Sequence, residues 1–271
     1  MTASGTLQST IDAAGRDLPS TFAPFSPMHA LCVVACAAVM LAAALAGRRL
    51  RTRPAAEERL RRSIAISGVI YWAASNAWWM WPANFKLEDS LPLHVCDLAG
   101  IIAPVAILTR KPWLRALLYF WGIGLSTQAF FTPTLEHGPA SMRFWLFWLN
   151  HTFIVGTAVY DIAVGGYRPT WRDFRTAAAV SLAYLAFILL IDIPLGLNYG
   201  YVGNTTPENP TVIDKLGPWP LRLLPLTLIG MAMMFLVWIP WIAAAKHAGR
   251  RSARGMASAD QLQSPRSDAR G

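Results

Sequence analysis

Two histidines, a few acids and a handful of amides are the side chains in this sequence whose types and spacing can do chemistry. His94 and Asp97 stand three residues apart in Leu91-Pro92-Leu93-His94-Val95-Cys96-Asp97, which places them on one face of a helix. A carboxylate beside an imidazole raises its basicity and fixes its tautomer, as a general base or a metal ligand requires. Cys96 is two residues from His94 and points to nearly the opposite face, so a Cys–His nucleophilic pair within this helix is geometrically poor. Asn150-His151 supplies a second imidazole able to act as base, as acid or as a donor to developing charge. Asn150, Gln128, Asp192, Asn198, Tyr199 and Trp219 complete the polar set as substrate-binding candidates, with Thr127 and Thr132 beside Gln128 at the same level. A metal held by His94, Asp97, His151 and Asp192 is chemically conceivable. No HExxH or other compact ligand motif supports it, and neither metal nor cofactor is expected.

The elements that must position these groups are set by composition. Apolar residues make up 54% of the 271 and charged ones only 14%, with mean hydropathy +0.36. So few charges cannot clothe a soluble domain of this length. Seven runs are long and apolar enough to span a bilayer: 28–47, 63–85, 91–109, 116–135, 144–164, 176–197 and 223–245. The expected fold is an all-α polytopic bundle of about seven transmembrane spans. Residues 1–27 form an extracytoplasmic segment, 28–245 the membrane domain and 246–271 a disordered basic cytoplasmic tail. Cys32, Cys36 and Cys96 make neither an even set for disulfides nor a CxxC pair.

The net charge of +9 gives the orientation. Residues 48–62, 110–115, 165–175 and the tail from Lys246 hold 19 of the 24 Lys and Arg; Arg16, Lys86, Arg143, Lys215 and Arg222 lie on the other side. The positive-inside rule then puts the N-terminus outside and the C-terminus in the cytoplasm. The surplus charge meets anionic lipid head groups rather than nucleic acid. The first span lacks a basic segment before it and is followed by an Arg-rich loop, so cleavage as a signal peptide is not expected. With this orientation His94, Asp97, Asn150, His151, Gln128, Asp192, Asn198 and Tyr199 arrive at one outer layer. Prolines and glycines between 198 and 220 make a turn-rich loop able to cap it.

The segments 91–97, Asn150-His151, Asn198-Tyr199-Gly200-Tyr201 and Gly217-Pro218-Trp219-Pro220 resemble the YwaF-type family of bacterial integral membrane proteins over roughly residues 28 to 245. That family is similar in turn to eukaryotic transmembrane acyltransferases that make ether phospholipids. The resemblance implies membrane lipids as partners, a lipid or acyl substrate, and His94 and His151 at the family's histidine positions. Leu93 stands where the eukaryotic relatives carry cysteine, so the thioester nucleophile does not carry over, whereas base catalysis by His94 does.

Three functions follow from intramembrane ionisable groups being functional by default. One is an enzyme acting on lipid acyl groups near the outer leaflet, with His94 as base oriented by Asp97. A second is a small-solute or proton-coupled transporter, for which no inverted repeat is visible. In the third, the polar layer only joins helices to one another.

Overall fold

The computed structural model describes residues 18–204 and 212–263, and the described chain is helical. Several of the long helices start where the sequence supplies a cap. Helix α1 (Pro27–Leu50) opens on Ser26, whose hydroxyl accepts from the His29 N–H at 3.2 Å, with proline next and arginines in its last turn. Helix α2 (Pro54–Trp79) begins nine residues before the expected span, inside the basic loop. There Glu58 pairs with Arg61 and Arg62 one turn on, which offsets the concentration of positive charge, and these guanidiniums hold the Glu58 carboxyl below its usual range. Helix α3 spans Val95–Thr109.

The fourth expected span is not one α-helix. It is a short α4 (Pro112–Leu117), a π-helical stretch over Leu118–Ser126 and a single turn α5 (Gln128–Phe131). Leu118 to Gly122 are all buried, and Tyr119, Phe120 and Trp121 lie at the centre of the largest apolar cluster. A segment that is apolar all round belongs inside a bundle. Gly122 packs on Ala158 and Ile154, and Gly124 on Met234, so other helices approach it from two sides.

Helices α6 (Met142–Ala163) and α7 (Trp171–Leu195) start on Ser141 and on a Thr170/Asp173 capping box. Helix α8 is continuous over Leu223–Gln263. The expected tail from Lys246 is therefore helical up to Gln263, because its alanines, arginines and glutamines are good helix formers. Residues 264–271 and the N-terminal segment up to residue 17 lie outside the described residues. By length and composition three helices can cross a membrane: Pro27–Leu50, Trp171–Leu195 and Leu223–Ala244. Val95–Thr109 is apolar but shorter.

Contacts between connections gather at two ends of the bundle. At one, Phe22 N–H donates to Glu136 O and Gly138 N–H to Ser20 O, each at 2.8 Å, while Arg143 reaches Asp89 at 3.3 Å. At the other, buried Arg61 donates to Ile107 O, and Tyr160 Oη donates to Glu57 at 3.0 Å. His29, in the first turn of α1, is buried. Its Nδ1 accepts from Phe25 N–H at 2.9 Å and its Nε2 meets Phe130 O at 3.1 Å, so both ring nitrogens serve packing.

Helices α2 and α6 touch through Gly68. A Cβ there would overlap the Phe153 ring. Gly68→Ala is expected to cost roughly 1–3 kcal/mol by overpacking, read from thermal unfolding of the detergent-solubilised protein, with Phe153→Leu in the same chain recovering part of it.

Candidate functional site

The N-terminal end of α3 is built around a histidine that lies just outside the helix. His94 is the N-cap of α3, with extended backbone, because Pro92 and the turn closed by Leu93 N–H to Leu91 O hold the chain out of helix until Val95. Asp97 is then the third helical residue, and its carboxylate accepts from the His94 main-chain N–H at 3.0 Å. This corrects the expected pairing. The spacing of three residues brings the two together as it should, but as a helix cap, and the carboxylate is spent on backbone rather than on the imidazole. Trp72 fixes the same turn from α2, its indole N–H donating to Asp97 O at 2.9 Å.

The imidazole of His94 is oriented from the opposite side of the chain. Gly200 N–H donates to Nδ1 at 3.2 Å, and the ring lies between Tyr199 and Tyr201 at centroid distances of 5.1 and 5.6 Å. An Nδ1 that accepts leaves the neutral ring its proton on Nε2, as assigned from this bonding. The free edge of His94 is thus a hydrogen-bond donor. Tyr199 is fully buried: its hydroxyl donates to Leu87 O and accepts from Leu91 N–H at 3.1 Å, stapling the turn after α7 to the segment before α3. Burial raises the phenols of both Tyr199 and Tyr201, so each is a neutral hydroxyl; that of Tyr201 meets Thr134 Oγ1 at 3.2 Å.

The loop after α7 closes on itself. Asn198 O accepts from Tyr201 N–H at 3.2 Å, Trp219 Nε1 donates to Val202 O at 3.1 Å, and the buried Arg222 guanidinium donates to Gly203 O. Residues 205–211 of the expected capping loop lie outside the described residues. Asp192 is 1% exposed, and neither carboxylate oxygen makes a hydrogen bond among the described residues. Asp161 is buried and paired with Arg115 at the other end of the bundle.

His151 stands apart from this cluster. Its Nδ1 meets the Phe147 carbonyl one turn back at 2.8 Å, so Nδ1 carries the proton and Nε2 the lone pair. Its ring packs on Phe147 and Phe130 at 4.5 and 6.5 Å. Asn150 beside it faces α3, with its amide 3.5 Å from Cys96 O. No hydrogen bond or ring contact among the described residues joins His94 to His151. Gln128 opens α5, its carbonyl accepting from Thr132 N–H at 2.8 Å, and no contact brings its amide to His94. Among the described residues no three His, Cys, Asp or Glu side chains gather as metal ligands.

Tyr184 belongs to the site and is absent from the sequence-derived set. Its hydroxyl donates to Leu93 O at 2.8 Å and lies against Gly200. The available signal was its position as the one polar side chain in the apolar run 182–191. Gly200 has φ +63°, and a Cβ there would meet the Tyr184 hydroxyl at 2.5 Å. Gly200→Ala is therefore expected to undock the turn from His94 at a cost of roughly 1–3 kcal/mol. Faster amide exchange at residues 199–203, with unchanged exchange in α1 and α6, would show it.

The TMEM164 family model matches residues 24–238. An uncharacterized protein of Treponema pallidum (strain Nichols) is 27% identical over 153 residues, covering 56% of this chain; the chain covers 64% of that protein's length. No solved structure matches.

Proposed function

The chain belongs to the TMEM164 family, a transmembrane family, and from that premise we propose that it is an intramembrane enzyme acting on lipid acyl groups at the His94 site. In this reading it is a multi-pass protein of a bacterial cytoplasmic membrane, crossing about seven times with the His94 end outside. The segregation of loop contacts to two ends and the basic residues gathered at one of them support that topology.

The observation that carries the chemistry is Gly200 N–H on His94 Nδ1. It leaves Nε2–H as a donor for the carbonyl oxygen of a lipid ester, where charge develops when the acyl carbon is attacked. This shifts the role expected for His94 from base to electrophilic donor. The base is then His151, whose Nε2 lone pair is the one left open. Asn150 places the start of that helical turn at the level of the first turn of α3. Leu93 supplies no nucleophile, so the attacking group is a hydroxyl of the acceptor. His151 takes its proton, the new ester bond forms as the old one breaks, and His151 returns that proton to the leaving alkoxide.

Purified protein in liposomes holding an isotope-labelled phospholipid and a lysophospholipid acceptor tests this by mass spectrometry of the products. Label transfer that is lost in both His94→Ala and His151→Ala supports the proposal. Transfer indifferent to both substitutions, or none in the unsubstituted protein, sinks it. One observation favours a structural role for the polar layer instead, namely that His151 packs away from the His94 cluster. Under that reading both substitutions lower the melting temperature and leave the cellular lipid composition unchanged.

A further inference from the structure

At the opposite end from His94, α7 begins with a groove of about 530 Å³ lined by Trp171, Arg172, Arg175, Thr176 and Ala179. The geometry points to a binding site for one anionic phospholipid, its phosphate on Arg172 and Arg175 and an acyl chain along α7.

Both guanidiniums are exposed, and neither forms an ion pair among the described residues. The neighbouring acid, Asp173, is turned back to the helix cap, accepting from Thr170 N–H and Oγ1 at 2.9 Å each. Arg168, the next cation toward the loop, is directed elsewhere, donating to Ile162 O and Tyr167 O and lying over the Trp241 ring. Trp171 is a fixed wall, stacked on Phe174 at 5.0 Å and tilted against Trp238 at 5.1 Å. Two guanidiniums one turn apart offer paired donors that suit phosphate oxygens, and a tryptophan at this level marks the head-group region.

Helical spacing continues the same face through Ala179, Leu182, Ala186, Leu190 and Ile193, all exposed, while the buried Ala177, Ile188 and Asp192 occupy the other side. From Ala179 to Ile193 the rise is about 21 Å, enough to follow a chain across one leaflet of about 15 Å. The face is therefore an amphiphile's complement, cationic at one end only. A second copy of the chain would bring arginine against arginine with no acid on the face to relieve it. This inference does not depend on the acyl-transfer reading.

Native mass spectrometry of the full chain, released from nanodiscs of phosphatidylglycerol mixed with phosphatidylcholine, tests it. The unsubstituted protein should retain phosphatidylglycerol, and Arg172→Gln with Arg175→Gln should weaken retention roughly ten-fold or more while phosphatidylcholine is unaffected. Ala179→Trp, which fills the groove and keeps both charges, should do the same. Equal retention of both lipids by the unsubstituted protein overturns the site, as does unchanged retention in both variants. Displacement of the lipid by millimolar inorganic phosphate would also overturn it, since that describes an anion site with no role for the chain.

Discussion

His94→Asn is expected to abolish acyl transfer while leaving the fold intact. Asparagine is among the best N-cap residues, and its side-chain oxygen lies close to where Nδ1 accepts from Gly200 N–H. What it cannot reproduce is the donor at Nε2, which lies farther from the backbone. Loss of one pre-oriented donor to a developing oxyanion costs roughly 10²–10³ in kcat. The melting temperature of His94→Asn should stay close to that of the unsubstituted protein, and KM should change little. His94→Ala should lose the same activity and in addition about 1 kcal/mol of stability, because Gly200 N–H then has no acceptor. The alternative, a His94 that works as a base paired with Asp97, makes a different forecast. Asp97→Asn would then cost as much activity as removing the histidine. The capping geometry instead expects Asp97→Asn to be mild, since an asparagine oxygen still accepts from His94 N–H. Steady-state kinetics on the three variants distinguish the two.

The segments that carry this argument were readable from the chain to different depths. Apolar run length located every long helix, since about 20 uncharged residues have few other fates, and the capping residues Ser26, Ser141 and Thr170 set the starts of α1, α6 and α7. Run length could not show that residues 118–126 leave the α-helical hydrogen-bond pattern. That depends on α6 and α8 pressing on Gly122 and Gly124 from segments distant in sequence. It also placed His94 inside a helix that in fact begins one residue later.

The site was legible as a set of residue types and only partly as geometry. His94, Asp97, Asp192, Asn198, Tyr199 and Trp219 do come to one end of the bundle, because successive helices return polar segments to the same level. The partner of each polar atom was not legible. Asp97 was assigned to an imidazole and is bonded to a main-chain N–H. The Gly200 N–H that orients His94 has no side chain to advertise it. Backbone donors hold much of the site together, and a one-letter sequence carries no sign of them.

The largest loss of stability should come from the other end of the molecule, at the Arg115–Asp161 ion pair. Arg115 donates to both oxygens of Asp161 at 2.8 Å each, from Nε and one terminal nitrogen. That terminal nitrogen also donates to Gly165 O at 3.1 Å, and the guanidinium lies over Tyr167 at 4.8 Å from the ring centroid. The Asp161 side chain is 7% exposed and that of Arg115 17%. Removing one member of such a pair leaves the other charged and desolvated, which costs about 3–5 kcal/mol. The two halves are not equivalent. Arg115→Ala strands a carboxylate whose only ion-pair partner among the described residues was Arg115, and should reach the upper part of that range. Asp161→Ala leaves a guanidinium that keeps the Gly165 carbonyl, the Tyr167 ring and more water, and should cost less. Arg115→Met with Asp161→Leu removes both charges together and should cost less than either alanine variant, because neither buried charge is left without a partner. Thermal unfolding of these four proteins and of Arg115→Ala combined with Asp161→Ala, in one detergent, measures the cycle. Additive losses would mean that the two side chains do not act as a unit and that the ends of α4 and α6 are held by packing alone.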